Sequence, residues 1–224
     1  MCGRAKLPDD VSEIKLDLKI DFDQIGNYRP RWNAAPTSKL PVVVSAAGSR
    51  ILTLMRWGLV PSWAKDLKIG FSTFNARAES LTTRAAFRGA WQAGRRCLSS
   101  LTAITSGATL QAAVRSRARQ PRPHDAGRIV GRLAIADGRD DQILRHNHHD
   151  CERFADPRAR THACCHSAGL LGRLAWGKLD TREQVKTLLR PYPDHAMAFW
   201  PVDRRVGNVR NDSPDLFAPI ELAP

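Results

Sequence analysis

The chain has 224 residues, which is enough for one hydrophobic core and short for two typical domains, so we expect a single domain over residues 1–224. No apolar run reaches the ~18 residues needed to cross a bilayer, and the amino terminus lacks the apolar centre of a signal peptide, which predicts a cytoplasmic protein with no membrane partner. The net charge of +13 favours a polyanionic partner, of which nucleic acid is the simplest.

The amino-terminal residues Met1-Cys2-Gly3-Arg4 place a cysteine where removal of Met1 would make it the first residue. A cysteine in first position carries an α-amine and a thiol on adjacent carbons. The α-amine has an ordinary pKa of about 7.7–8, so part of it is an unprotonated nucleophile at neutral pH. The pair can therefore trap an aldehyde as an imine and then as a five-membered thiazolidine. The plainer interpretation, that Cys2 is an ordinary second residue, stays open on these four residues alone.

Strands are predicted in the first third of the chain. Apolar and charged residues alternate between Val11 and Ile25, which favours a half-buried strand over the alternative of a frayed helix. The apolar run Leu40–Ser45 predicts a buried strand, and a further strand is predicted over Leu52–Val60. That last strand includes Trp57 and leads to Trp63, and the two tryptophans lie around a glycine and a proline. They either cap the core or offer faces on which DNA bases stack.

A helix is predicted to begin in the segment Phe74–Ser80, with Asn75 as its cap. Arg77 in this segment is either a surface arginine or a phosphate contact. Nearer the carboxyl end, Asp180–Arg190 has the pattern of an amphipathic helix. Two further strands are predicted over Ala198–Val202 and Val206–Val209.

Several motifs in the two flanks of the chain resemble those of the SOS-response-associated peptidase (SRAP) family. In chain order they are MCGR at 1–4, WNAAPT at 32–37, RWGLVPSWAKD at 56–66, FNARAES at 74–80, RRC at 95–97, LLRPYP at 188–193 and VGNVRNDSPDL at 206–216. The resemblance covers residues 1–97 and 176–224. It implies an α+β fold, with one SRAP-like domain built on a mixed, mostly antiparallel sheet or barrel and flanking helices.

The resemblance implies covalent attachment to DNA. Proteins of this family crosslink themselves to abasic sites in single-stranded DNA during the response to DNA damage. Cys2, freed by loss of Met1, would attack the ring-opened aldehyde of the abasic sugar, and Asn75 would hold the reacting terminus or sugar. These two are the candidate catalytic residues. The family name also implies peptidase activity, which an amino-terminal cysteine would exert on the initiator peptide bond.

The candidate DNA-binding residues that the resemblance implies are Arg4, Trp57, Trp63 and Arg77. Arg77 would hold a phosphate, and the segment with the two tryptophans would hold the displaced stack of bases. The partner is single-stranded DNA with abasic sites, and no cofactor or metal is expected. We expect a monomer that is cytoplasmic, and nucleoid-associated when it is bound to DNA.

The segment 98–175 differs from the flanks in composition, with twelve arginines and no lysine, six of the chain's seven histidines, and no tryptophan or tyrosine. The family's glutamate, in a DGxYEW-like strand after RRC, and its histidine, before an RMPVIL-like strand, are both missing. A carboxylate and an imidazole that would transfer protons near neutral pH are thus absent. We expect disrupted central strands, a poorly ordered segment and impaired activity, which leaves open whether this chain is an active enzyme.

Two other functions compete with the covalent one. A basic protein can bind nucleic acid without covalent chemistry, and salt would weaken that binding. The histidines and cysteines of the middle segment could form a zinc module, although the adjacent Cys164-Cys165 pair does not provide the spaced ligand pairs of zinc sites. Such a module would draw on His146, His148, His149, Cys151, His162, Cys164, Cys165 and His166. The five unevenly spaced cysteines predict reduced thiols rather than a disulfide framework.

A shift of reading frame would explain both the composition of the middle segment and the missing motifs. Read two nucleotides later, degenerate codons for Ser99–Gly107 permit the string LADGYYEW. Read one nucleotide later, those for Ala159–Ala168 permit HERMPAVILP. Both strings resemble the central motifs of the family, in family order. Our hypothesis is that the frame changes after Cys97 and returns between Leu171 and Trp176.

The nucleotide sequence of the gene tests this hypothesis. Because the two offsets differ, we expect more than one insertion or deletion between the codons of Cys97 and Trp176. We also expect the shifted frames to spell the two strings. A gene whose shifted frames spell neither string would rule the hypothesis out.

Overall fold

A computed structural model describes residues 2–107, 111–116, 130–137, 143–147, 165–166 and 197–221. These residues combine short helices with many strands, so the α+β class is confirmed. The α-helices are α1 (Ser12–Asp17) and α2 (Ala85–Gln92), and 3₁₀ helices span Leu67–Phe71, Ala78–Ser80, Arg204–Gly207 and Pro214–Phe217. The strands are β1 (Cys2–Lys6), β2 (Phe22–Asp23), β3 (Lys39–Ala46), β4 (Ser49–Trp57), β5 (Asn75–Ala76), β6 (Arg96–Leu101), β7 (Ala103–Gly107), β8 (Gln111–Ser116), β9 (Val130–Asp137), β10 (Ile143–Asn147), β11 (Cys165–His166) and β12 (Met197–Pro201).

The described strands form two sheets. One has four strands in the order β1-β7-β8-β12, and every neighbouring pair in it is antiparallel. The other has the order β11-β9-β6-β3-β4-β10-β5, with β2 beside β4 and a further pairing between β9 and β10. Its parallel pairs are β2–β4, β4–β10 and β5–β10. The mixed, mostly antiparallel sheet is therefore confirmed, and the strands form two sheets rather than one closed barrel.

The strand predicted between Val11 and Ile25 is wrong, because α1 occupies its first half. The spacing of the buried residues gives the physical reason. Val11, Ile14 and Leu18 are buried and lie three and four positions apart, which is one face of a helix. Leu16, which completed the apparent alternation, has 77% of its surface exposed. The alternation was therefore produced by one solvent-facing leucine.

The predictions for the apolar runs agree better with the structure. β3 and β4 confirm the strands predicted at Leu40–Ser45 and Leu52–Val60, although β4 ends at Trp57. β12 confirms the strand predicted at Ala198–Val202. The helix predicted over Asp180–Arg190 lies outside the described residues.

Two other predictions placed regular structure incorrectly. The helix expected from Phe74–Ser80 begins only at Ala85, after two β-branched threonines that are poor helix formers, and Asn75 lies in β5 instead of capping a helix. The strand predicted over Val206–Val209 is wrong, because a 3₁₀ helix begins at Arg204. The Asp203 side chain accepts a hydrogen bond from the backbone N–H of Arg205 and so caps that turn.

The disruption expected of the central strands is not seen in the part of the middle segment that the structure describes. Those residues form β7 to β11 and most of β6. β6 pairs with β9 along its length, from Arg96 opposite Ile135 to Leu101 opposite Val130. Backbone hydrogen bonds do not depend on which side chains a strand carries, so an unusual composition is compatible with this pairing.

Buried side chains of the described residues form three clusters. The first packs α1 and α2 against β3, β4 and β6. The second lies under β1 and includes Ala5, Leu7 and Trp57. The third packs the carboxyl-terminal segment, through Val206 and Phe217, beside the start of β7. The amino-terminal strand is therefore anchored by the second cluster.

A pair of polar side chains joins the amino-terminal and carboxyl-terminal parts of the chain, and we call it the Asn33–Asp212 latch. Asn33 is fully buried, and its Nδ2 donates to the carbonyl oxygens of Val206, Asn208 and Asn211 at 3.1, 3.0 and 2.8 Å. Asp212 Oδ1 accepts from the backbone N–H groups of Trp32 and Asn33 at 2.7 and 2.8 Å. Its Oδ2 accepts from Arg31 Nε at 2.9 Å. Segments about 180 positions apart in the chain are thus held together.

The latch predicts a specific loss of stability. In Asn33→Ala, three carbonyl groups lose their side-chain donor, and a buried polar group without a partner costs about 1–3 kcal/mol. We expect the free energy of unfolding, measured by urea denaturation, to fall by about 2–4 kcal/mol. The control Asn27→Ala removes an exposed asparagine and should change it by less than about 0.5 kcal/mol. Equal effects of the two substitutions would contradict the role of the latch.

Candidate active site and DNA-contact surface

The strand that carries Cys2 is held along both edges. In β7, Ser106 lies opposite Cys2, and the register shifts between Cys2 and Arg4. On the other edge, Ala5 and Ala34 exchange two backbone hydrogen bonds of 2.9 Å. The backbone of Cys2 therefore begins a strand whose position is set by two neighbours.

Arg4 connects β1 to the carboxyl-terminal part of the chain. Its Nη2 donates to the carbonyl oxygen of Gly207 at 2.6 Å. Its Nη1 is buried and has no hydrogen-bond partner, and burial lowers the pKa of the guanidinium. Arg4, a candidate DNA contact, thus already uses one of its two Nη atoms in a hydrogen bond to the protein's own backbone.

β7, which lies opposite Cys2, and the preceding strand β6 contain hydroxyl groups where the resemblance places a carboxylate. β6 carries Ser99 and Ser100, and β7 carries Thr105 and Ser106. Neither strand contains an acidic residue. Hydroxyl groups donate and accept hydrogen bonds, but they do not ionise near neutral pH and so do not act as proton-transfer groups there.

Trp57, one of the candidate DNA-binding residues, belongs to the core. Only 2% of its surface is exposed, and its Nε1 donates to the carbonyl oxygen of Phe74 at 3.0 Å. The Trp57 and Phe74 rings meet edge to face, with centroids 6.0 Å apart and an interplanar angle of 84°. The structure thus agrees with the core-capping interpretation of Trp57, because neither ring face is open to a base.

The contact between Trp57 and Phe74 also places Asn75. Asn75 follows Phe74 and lies in β5, which pairs with β10 so that Asn75 is opposite His146. Phe74 packs against the same cluster that contains Ala5 of β1 and Trp57. Phe74, the residue before Asn75, and Ala5 of β1 therefore pack on one hydrophobic cluster, whereas Ala76 of β5 packs in another.

Trp63 has the opposite environment to Trp57. It is 58% exposed, and the 3₁₀ helix that follows exposes Leu67 and Phe71 by 46% and 59%. Lys65 and Lys68 are exposed in the same segment, and Arg77 is exposed after β5. Exposed aromatic groups beside cations are typical of surfaces that bind single-stranded nucleic acid. Sequence reasoning missed Leu67 and Phe71, which lie outside any periodic apolar pattern.

A close approach of two glycines holds this exposed segment against the end of β4. Gly58 has a φ of +129°, and a Cβ there would lie 2.6 Å from the carbonyl oxygen of Gly70. Only glycine fits such a position, because it has no Cβ and readily adopts positive φ. The residues between the two glycines, which include Trp63, therefore form a loop whose two ends lie in contact.

Cys97 is a second thiol in the described part of the chain. It is fully buried in β6, and burial raises the pKa of its thiol. The thiolate is the reactive form, so Cys97 remains unreactive in the folded protein. It does not compete with Cys2 as a nucleophile.

The described ranges contain neither a metal-binding group nor a membrane-spanning helix. They contain no group of three or more histidine, cysteine, aspartate or glutamate side chains placed to hold a metal ion. Of the residues in the zinc alternative, His146, Cys165 and His166 lie in described strands, and the others lie outside the described residues. Among the described helices, none has the length and apolar character to cross a membrane.

Residues 1–103 match the family model described as SOS response associated peptidase (SRAP). This part of the chain is therefore similar to the SRAP family, and the match covers just under half of the 224 residues. The abasic site processing protein YoaM of Bacillus subtilis is 42% identical over 89 residues, which are 39% of this chain and 39% of YoaM. The abasic site processing protein HMCES of Gallus gallus is 25% identical over 88% of this chain and 68% of that protein. The aligned region thus spans about two fifths of the length of the bacterial SRAP relative YoaM.

Solved structures extend the similarity beyond the matched SRAP region. A protein from Bacteroides thetaiotaomicron superposes with a TM-score of 0.79 at 15% identity, over 98% of this chain and 100% of that one. A protein from Bordetella bronchiseptica gives 0.69 at 16% identity, over 90% and 100%. At such identities the likeness concerns the fold alone.

The different environments of the two tryptophans predict different effects of substitution. Trp57→Ala should lower the free energy of unfolding by about 3–5 kcal/mol, because it removes a large buried side chain. Trp63→Ala should change it by less than about 0.5 kcal/mol, while weakening the binding of unmodified single-stranded DNA by about 1–3 kcal/mol through loss of base stacking. Urea denaturation and fluorescence titration measure the two quantities. A large loss of stability in Trp63→Ala would contradict the assignment.

Proposed function

We propose that this chain processes abasic sites in single-stranded DNA through a covalent crosslink formed by Cys2 after removal of Met1. The observation that carries the proposal is the SRAP match over residues 1–103, which contains Cys2, Asn75 and Arg77 in their motifs. Two similar proteins, YoaM and HMCES, are named abasic site processing proteins, which supports the choice of substrate. The net charge of +13 is consistent with a DNA partner.

The chemistry starts from the freed α-amine. Its nitrogen attacks the aldehyde carbon of the ring-opened sugar, and loss of water gives an imine. The Cys2 thiolate then adds to the imine carbon, the nitrogen takes up a proton, and a five-membered thiazolidine results. Asn75 would hydrogen-bond the reacting terminus or the sugar, next to Phe74, which packs on the same hydrophobic cluster as Ala5 of β1.

The DNA would be held by residues around this centre. Arg77 is exposed and available to a phosphate, and Trp63 offers its exposed face to a base. Arg4 would act mainly by fixing β1, because its guanidinium already donates to Gly207. The protein would work as a monomer in the cytoplasm and associate with the nucleoid when bound to DNA.

We expect the reaction in this chain to be slow. β7, opposite Cys2, and the preceding strand β6 carry serines and a threonine but no acidic residue, and the glutamate and histidine of the family are missing from the sequence. Imine formation requires protons to be moved between nitrogen, oxygen and water, and a positioned acid–base group contributes about 10²–10⁴-fold to such steps. Residues 98–175 are, in this proposal, a frame-shifted version of the family's centre.

A purely non-covalent role is the second candidate. It is favoured by the high net charge and by the exposed arginines and lysines near Trp63. It predicts salt-sensitive binding that leaves no adduct under denaturing conditions. Self-cleavage of the initiator peptide bond is compatible with the covalent mechanism, because both reactions use Cys2 as the nucleophile.

The covalent mechanism predicts a gel-stable product. The purified chain incubated with single-stranded DNA containing an abasic site should give a shifted band on a denaturing gel, with slow accumulation. Cys2→Ala should abolish the thiazolidine adduct, and the matched control Cys97→Ala should retain it, because Cys97 is buried and protonated. A chain that binds this DNA without any adduct, or an equal adduct with Cys2→Ala, would overturn the proposal.

A further inference from the structure

The loop of residues 203–212 has a backbone that is fixed from several sides. The Asn33–Asp212 latch holds three of its carbonyl groups and its last residue. Within the loop, Asn211 Nδ2 donates to the carbonyl oxygen of Arg205 at 2.8 Å. Asn208 Oδ1 accepts from the backbone N–H of Arg210 at 3.0 Å. The loop therefore presents its side chains from a preorganised backbone, which reduces the entropy lost on binding.

The three arginines of this loop have different electrostatic environments. Arg205 is paired with two carboxylates, Asp203 and Asp215, each at 2.7 Å. Arg204 and Arg210 are exposed, and neither takes part in an ion pair among the described residues. The loop thus carries two cations whose charge is not compensated by a neighbouring carboxylate.

The loop lies next to the strand that carries Cys2. Gly207, near the centre of the loop, accepts the 2.6 Å hydrogen bond from Arg4. Arg4 is two residues from Cys2, a distance of at most about 7 Å along an extended chain. A DNA strand whose abasic sugar meets Cys2 has phosphates about 6–7 Å apart on either side of that sugar, so its backbone passes within reach of long arginine side chains from the loop.

We propose that loop 203–212 binds the phosphates of the DNA strand that presents its abasic sugar to Cys2, and that Arg204 and Arg210 make the contacts. The assignment rests on the proposed function, because it takes the occupant to be the same single strand. Charge complementarity favours phosphates, since the two uncompensated cations belong to a chain of net charge +13. Arg205 holds the loop together through its two carboxylates and makes no contact with DNA.

The experiment measures how salt weakens the binding of unmodified single-stranded DNA, which forms no adduct. Each phosphate contact contributes about 0.7 to the slope of log affinity against log salt concentration. Arg204→Gln and Arg210→Gln should each lower the slope by about 0.7 and the affinity in ~0.1 M salt by about fivefold. The control is Lys19→Gln, which removes an exposed cation after α1, whose buried residues pack in a different cluster from those of β1. It should leave the slope unchanged.

The outcomes separate this assignment from the proposed function. Slopes in Arg204→Gln and Arg210→Gln equal to that of the parent chain would overturn the loop assignment even if the parent forms the Cys2 adduct. Lower slopes would support the loop assignment even if no adduct forms, and the missing adduct would then overturn only the covalent chemistry. Polyglutamate serves as a competing acidic polypeptide. If the two substitutions weaken polyglutamate binding and leave DNA binding intact, the loop takes an acidic protein and the proposal is wrong.

Discussion

The hydrogen bonds of Asn33 and Asp212 are the constraint on which the site depends. Asn33 is fully buried and Asp212 is partly exposed, and a buried donor or acceptor without a partner costs more than a satisfied one gains. The segment around Asn33 also pairs with one edge of β1, because Ala5 and Ala34 exchange two backbone hydrogen bonds. The carboxyl-terminal loop that Asn33 and Asp212 hold accepts a hydrogen bond from Arg4, through the carbonyl oxygen of Gly207. The position of Cys2 is thus determined by residues at the far end of the chain as well as by its own strand.

The scaffold of the site and its chemistry are separable in this chain. Cys2 lies on β1 and Asn75 follows Phe74, and both β1 and Phe74 contact one hydrophobic cluster that needs only apolar side chains of suitable size. Proton transfer needs particular groups with suitable pKa values, and β6 and β7 supply hydroxyls in their place. A nucleophile can therefore be well placed and still react slowly. Geometry brings the reacting atoms together, and acid–base groups lower the barrier that remains.

The sequence predicts an element correctly where its local pattern is compatible with only one kind of secondary structure. The continuous apolar run of β3 could be predicted because it is buried on both faces, whereas α1 was mistaken for a strand through the exposed Leu16. Trp57 and Trp63 are chemically identical, and tertiary packing alone buries one and exposes the other. The latch could not be predicted, since no local pattern links Asn33 to Asp212. The candidate catalytic residues came from family motifs, not from spacing or periodicity.

The middle of the chain shows why a fold tolerates changes that its chemistry does not. β6 pairs with β3 on one side and β9 on the other through backbone groups that every residue other than proline supplies. Its side chains must be small or apolar enough to be buried: Leu98 is apolar, and Ser99 is small, although its buried Oγ has no hydrogen-bond partner. A carboxylate at a given position has no such substitutes, because its charge and pKa are what the reaction uses. A strand can therefore keep its backbone pairings with many different side chains, whereas a group that moves protons has few substitutes.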